Sequence, residues 1–276
     1  MVQAVEAYSI WGGVPRNWEL ATDCENTQEA IKSLILDRNG ILHNEPPRLL
    51  LDDMRSAVQT NSILSLVGIG CHRISEIAGR LGKPAGSLTR SLKLLIDLGY
   101  VWREVPFGEN PRSTKRSIYR LADPFLSFWY RFVQPSESLL ELDLIDAVYA
   151  RIAKAFPAHV AEIWEQMARR SVPGLNIDQI QWGPASRWWG KDCSGKPLEV
   201  DVVAESLDGY HLLVGEAKWS EKQEVRKLVS VLRRKASRLP LSGAQRVHYA
   251  LWIKRPSEQS ESDVSLLGPD ETIDAC

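Results

Sequence analysis

The sequence predicts a mixed α/β protein, and three observations predict it. Stretches with apolar residues at helical spacing fill most of the first half of the chain. In the second half, two β-rich runs, Leu198–Ala204 and His211–Trp219, flank Asp208-Gly209, a strong hairpin signal. An amphipathic stretch, Glu221–Leu239, then leads to a further strand, Arg246–Ile253, so a strand pair, a crossover helix and another strand make a small α/β core. The 276 residues, 44% hydrophobic and 25% charged, suffice for two or three domains with a sizeable core.

Residues 1–51 read as a helical segment. Gly12-Gly13 before Val14-Pro15 makes a turn, and a helix is expected over Thr27–Arg38. Residues 52–122 have the pattern of a winged helix-turn-helix. A first helix is expected over Asp52–Val67. A second, Arg73–Gly82, places Ile74, Ile77, Ala78 and Leu81 on one face and ends on glycine. After a turn at Pro84, Ser87 is expected to cap a third helix whose core stripe is Leu88, Leu92, Leu95 and Leu98. Its other face offers Thr89, Arg90 and Lys93 to a major groove. Strands Val101–Val105 and Ser117–Leu121 then enclose a wing-like loop carrying Arg112, Lys115 and Arg116. Asn61–Ala122 holds ten Lys or Arg against four Asp or Glu, a local excess that fits phosphate contacts with double-stranded DNA. Backbone binding is expected over base readout, because one Arg lies on the exposed middle of the third helix. A protein-docking module with a solvated basic face is the alternative.

Residues 123–256 are expected to form one domain with a helical lead-in. Asp123-Pro124 starts an aromatic-rich helix in which Phe125, Phe128, Trp129 and Phe132 fall at core spacing. Residues 136–170 read as helical, and Asn176–Trp182 as an edge strand. Ser186–Gly190 reads as a turn, where Arg187, Trp188 and Trp189 flank a groove. In the hairpin, a two-residue turn at Asp208-Gly209 places Val203 opposite Val214, Asp201 opposite Glu216 and Glu199 opposite Lys218. Alternation puts these four charged residues on one face. Facing carboxylates repel, and a divalent cation reverses that effect. Asp201, Glu216 and the Ala217 carbonyl offer the hard oxygens that Mg²⁺ or Mn²⁺ prefers, and Lys218 points at the same spot, with Glu199 as its outer partner. A solvated face of salt bridges, each worth about 0–1 kcal/mol, is the rival reading. In the helix Glu221–Leu239, Val225, Leu228, Val229, Leu232 and Ala236 form the buried stripe, and Lys235 is among the basic residues assigned to other faces. Residues 257–276 are Ser-, Glu- and Asp-rich and read as a loose tail.

Asp201 on one strand and Glu216-Ala217-Lys218 near the end of the next resemble the active-site signature of the PD-(D/E)xK nuclease superfamily, with Val200 where the naming Pro stands. Gly12-Gly13-Val14-Pro15 and the string Asp123–Val133 after a winged helix resemble archaeal-type AAA+ ATPases. The likeness is to their lid, winged helix and C-terminal nuclease-like domain of unknown function. It implies a restriction-endonuclease-like α/β domain in which Asp201, Glu216 and Lys218 are catalytic. Glu165, which follows Trp164, would add a third carboxylate to the metal, with Glu162 as the neighbouring candidate. The ATPase core of that family is missing. No GxxxxGK[ST] occurs, and the nearest string, Gly79–Gly86, has the wrong spacing. The chain is therefore expected to hydrolyse no ATP by itself, and a core supplied by another chain is an expected partner. The alternative is a non-catalytic DNA-binding or protein-docking accessory of such an ATPase.

The four cysteines are scattered, with neither a CxxC pair nor zinc-finger spacing, which favours reduced thiols in the cytoplasm. No apolar run reaches membrane-spanning length and the first ten residues lack a leader pattern, so no membrane association is expected.

Overall fold

Helices occupy most of the first hundred residues in a computed structural model of the chain, which describes residues 1–53, 57–241, 245–256 and 263–276. The fold is α/β, with helices and a five-stranded mixed sheet. The chain forms two compact units. One comprises Glu6–Glu104 and Ser117–His159; the other comprises Met1–Val5, Val105–Arg116 and Val160–Cys276. Boundaries expected at residues 51 and 122 do not coincide with this division. The reason lies in the core of the first unit, where Ile10, Trp11, Ile35 and Leu36 are buried together with Ile63, Leu88, Phe125 and Phe128. None of the short helical segments closes a core alone.

Helix α1 (Val2–Trp11), which belongs to the first unit from Glu6 onward, and α2 (Pro15–Thr22) are joined through Gly12, whose φ of 66° suits glycine. The turn docks on Asp123: the Gly13 N–H donates to Asp123 Oδ2 at 3.0 Å, and a Cβ on Gly12 would lie 2.5 Å from the same carboxylate. Asp123 also accepts from Phe125 and Leu126, capping α8 (Pro124–Phe128). One carboxylate thus ties two sequence motifs 110 residues apart. The helix α3 (Thr27–Ala30), capped by Asn26, widens over Ile31–Leu36, where the Asp37 N–H reaches the Lys32 carbonyl at 2.8 Å.

Helix α4 (Glu45–Asp53) and helix α5 (Ala57–Gly68) stand on either side of residues 54–56, which lie outside the described ones, and α5 covers most of the helix expected over Asp52–Val67. Next come α6 (Ile74–Leu81), α7 (Ala85–Asp97) and the antiparallel pair β1 (Val101–Glu104) and β2 (Ile118–Leu121). Gly82 ends α6 in the left-handed region at φ 61°. Two expectations need correction. Pro84, not Ser87, stands before the first turn of α7, and the Ser87 hydroxyl donates back to the Pro84 carbonyl. Leu98 lies past the helix end and is exposed, so only Leu88, Leu92 and Leu95 fill the stripe. The aromatic string continues α8 into the core, with Trp129 donating to the His43 carbonyl at 2.7 Å. Helix α9 (Glu137–Glu141) precedes α10 (Ile145–Ser171).

The second unit is built on the sheet, in the order β3 (Ser186–Lys191), β4 (Pro197–Glu205), β5 (His211–Lys218), β6 (Arg246–Ile253) and β7 (Val264–Leu267). The β3–β4 and β4–β5 pairs are antiparallel, while β5–β6 and β6–β7 are parallel. Helix α11 (Val225–Ala236) makes the crossover, burying Val229 and Leu232 against Val200, Val214 and Leu251. The segment Ser186–Gly190 is therefore strand, not turn, because Trp188 fills this core. Asn176–Trp182 forms only isolated bridges, Ile177 with Ile180 and Trp182 with Ser206. The end of the chain corrects the loose-tail expectation. Val264 and Leu267 are buried as β7 completes β6, and α12 (Pro269–Asp274) follows. Its polar composition conceals four residues with two buried apolar anchors. Residues 257–262 lie outside the described ones. Among the described residues, no helix is long and apolar enough to cross a membrane.

Candidate active site

The hairpin has the expected register and a different turn. Val203 faces Val214 and Val202 faces Gly215. The turn spans Ser206–Gly209, closed by the Gly209 N–H on the Ser206 carbonyl at 3.0 Å, with Gly209 at φ 78°. Asp208 has no positive φ, because its carboxylate accepts from the Ser206 hydroxyl and the Tyr210 N–H and so shapes the loop from within.

The paired register of β4 and β5 ends at Val202–Gly215, one step before the carboxylates. Beyond it the Ala217 N–H donates to Asp201 Oδ2 at 3.1 Å, so a side chain takes the place of a backbone partner. The N–H and C=O of one strand residue point to the same side, which turns the Ala217 carbonyl toward the same opening. Arg169, buried on α10, donates Nη1 to the Asp201 carbonyl at 3.0 Å and fixes the strand there. Asp201 and Glu216 are only 5% and 3% exposed, so neither is a solvated surface charge. Lys218 Nζ lies 3.4 Å from Asp201 Oδ2 and 3.2 Å from Glu216 Oε2. Lys235, from the crossover helix, reaches Glu216 Oε1 at 2.5 Å.

Electrostatics follow from this arrangement. Burial raises the Glu216 pKa above the ordinary range, the Asp201 charge adds to the rise, and Lys235 and Lys218 oppose it. Burial works against the Lys218 ammonium, but the Asp201 and Glu216 charges outweigh it and leave its pKa raised. The carboxylate repulsion expected from sequence is thus balanced by two ammonium groups. Asp201 Oδ1 has no hydrogen-bond or ion-pair partner among the described residues.

Of the residues expected at this site, Asp201, Glu216, Ala217 and Lys218 come together. Glu199 does not serve Lys218; it ion-pairs with Arg187 on β3, its neighbour across the strand edge. Glu165 follows the fully buried Trp164 but is itself half-buried, as is Glu162. Among the described residues no group of three or more His, Cys, Asp or Glu that could hold a metal ion is found. Sequence reasoning missed Lys235 and Arg169. Lys235 sits three residues after Leu232 and seven after Leu228, on the margin of the buried stripe, and that spacing was the available signal. Arg169 gave none.

Away from this site, Thr89, Arg90 and Lys93 are all exposed on α7. Arg112 and Lys115 are exposed on the loop between β1 and β2, whereas Arg116 is held by Glu109 and by the Trp189 carbonyl.

Residues 129–228 match the model of the family DUF234, described as archaeal and bacterial proteins of unknown function. That span contains Asp201, Glu216 and Lys218. An uncharacterized protein of Methanocaldococcus jannaschii is 25% identical over 233 residues, covering 83% of this chain and 51% of its own length. The chain thus spans about half the length of this curated relative. Among solved structures, the SdaI restriction endonuclease is similar with a TM-score of 0.23 and 15% identity, over 81% of this chain and 86% of that one.

Proposed function

We propose that this chain binds nucleic acid, double-stranded DNA foremost, and hydrolyses phosphodiester bonds with Mg²⁺ or Mn²⁺. The observation that carries the reading is two buried carboxylates, Asp201 and Glu216, held with Lys218 where the β4–β5 ladder opens. Asp201 Oδ1, a Glu216 oxygen and the Ala217 carbonyl are the hard donors that would hold the ion, which fits the preference of Mg²⁺ for oxygen. Bound there, the ion would supply Lewis-acid stabilisation and a more acidic water. Lys218 would orient the attacking water or meet charge on the phosphate, and Lys235 would oppose the rise that burial imposes on the Glu216 pKa.

In this reading, residues 52–122 act as a winged helix that contacts the DNA backbone through Thr89, Arg90 and Lys93 of α7, with Arg112 and Lys115 on the wing. The N-terminal segment is the lid-like part, and an ATPase core in another chain is the partner. The free cysteines fit a reduced, cytoplasmic setting. One observation favours a second reading. Lys218 and Lys235 already neutralise Glu216 without metal, as a non-catalytic DNA-binding or docking module would require.

The test is incubation of the protein with plasmid, linear and branched DNA in Mg²⁺ or Mn²⁺, beside Asp201→Asn. Metal-dependent cleavage lost in the variant supports the nuclease. Binding without cleavage on every substrate and metal supports the accessory module.

A further inference from the structure

Strand β3 is the outer edge of the sheet, and the loop Val105–Arg116 closes that edge. The Phe107 N–H donates to the Arg187 carbonyl at 2.9 Å and Arg116 Nη1 to the Trp189 carbonyl at 3.1 Å. Phe107 packs against the core of the sheet unit. Glu109 pairs with Arg116 and accepts from Thr114, so the loop's own carboxylate keeps the guanidinium in place. Gly190 provides the room, since a Cβ there would collide with Arg116 Nη1. An edge that would otherwise offer unpaired backbone groups is covered.

The covered edge is strongly charged. Arg112 and Lys115 on the loop, Lys191 at the end of β3 and Lys196 in the β3–β4 turn are all exposed. None of the four has a side-chain partner among the described residues. The carboxylates beside them are engaged: Glu109 with Arg116, Asp192 with Arg238 and Glu199 with Arg187. What remains is a strip of four uncompensated cations. The register relates this strip to the candidate site. Lys191 faces Pro197 and Trp189 faces Glu199, so Lys191, half-exposed Trp189 and Asp201 lie on one face of the sheet. From Lys191 to Asp201 is one strand across and four residues along, about 14 Å by strand geometry. That is a few nucleotides of a backbone.

We infer that the loop Val105–Arg116 and strand β3 form a phosphate rail, in which Arg112, Lys115, Lys191 and Lys196 grip the phosphodiester backbone of the nucleic acid presented to Asp201 and Glu216. The inference rests on the nucleic-acid reading above and adds the surface of the sheet unit that takes the substrate. Arg116 and Glu109 do not bind; they position the loop. Such contacts read charge and spacing, so the grip is independent of base sequence.

The test is the salt dependence of binding to a short fluorescent DNA duplex and to its single strand. It is run without divalent metal, so that cleavage plays no part. Substituting Arg112, Lys115, Lys191 and Lys196 together with Ala should weaken binding at every salt concentration. The slope of log affinity against log salt should flatten by about 0.9 for each phosphate released on a duplex and about 0.7 on a single strand. A charge-preserving variant, with Arg112→Lys, Lys115→Arg, Lys191→Arg and Lys196→Arg, should restore both affinity and slope. All four side chains are exposed, and a thermal melt checks that each variant is folded. Unchanged affinity and slope in the Ala variant overturns the rail, even where the wild type cleaves DNA. Failure of the charge-preserving variant to rescue a folded protein overturns it too, as does absence of binding by the wild type. If the slope drops as expected while no DNA is cleaved in Mg²⁺ or Mn²⁺, the rail stands and the nuclease reading fails.

Discussion

A buried carboxylate needs a counter-charge, and Glu216 has two, Lys218 at 3.2 Å and Lys235 at 2.5 Å. Removing one leaves a charge that is half compensated in a site only 3% exposed. Lys235→Met keeps most of the side-chain volume and removes the ammonium. We expect it to cost about 1–3 kcal/mol, the usual penalty for stranding a buried polar group. Urea denaturation checks this, and pairing the change with Glu216→Gln isolates the interaction. In the double variant most of the loss should vanish, because no charge is left to strand. Equal losses in the single and double variants would show that Lys235 acts through packing alone. At this scale the sequence was informative for Asp201, Glu216 and Lys218, whose positions near the ends of two neighbouring strands bring them together. It was uninformative for Arg169, which reaches the Asp201 carbonyl from a helix 32 residues away. No local pattern encodes that bond.

Among elements, the hairpin shows why register and turn type are separate questions. Counting outward from Asp208-Gly209 placed Val203 opposite Val214, where both strands are buried on both faces, but the loop took its shape from the Asp208 carboxylate, whose bonds within the turn are set by the local chain. Segments were misjudged where burial, not composition, decided the structure. Trp188 turned Ser186–Gly190 into a strand, and Val264 with Leu267 made a strand from an apparently polar tail. The Gly12–Gly13 turn was legible as a turn, while its partner was not. Asp123 lies 110 residues away and serves both this turn and the start of α8. Gly12→Ala combines an unfavourable φ of 66° with a contact of 2.5 Å to Asp123. We expect a loss of about 1–3 kcal/mol in chemical denaturation. Asp123→Ala should cost stability as well, and the two losses should be less than additive, since each breaks the same junction. Full additivity would mean that the two ends act independently.

For the whole molecule, the two compact units cut across the order of the chain, because Val105–Arg116 belongs with the sheet while the strands on either side of it belong with the helices. Sequence segments gave the α/β class and the order of elements; they did not give this exchange, which depends on Phe107 and Arg116 finding partners on β3. A divalent-metal site formed by Asp201 and Glu216 is central to the proposed function. A thermal melt with and without Mg²⁺ or Mn²⁺, on the wild type and on Asp201→Asn, tests it most directly, because it needs no knowledge of the substrate. A ligand bound only by the folded state stabilises it by RT ln(1 + [L]/Kd), about 2.7 kcal/mol at a hundredfold excess over Kd. Without metal, the introduced amide can still accept from the Ala217 N–H, and the loss of the Lys218 attraction offsets the relief of repulsion from Glu216, so the variant should melt close to the wild type. With metal, the wild type should rise in Tm with concentration and Asp201→Asn should not. A wild-type Tm that stays flat across the metal series, or an equal rise in Asp201→Asn, contradicts the claim and leaves the carboxylates as a lysine-neutralised structural cluster.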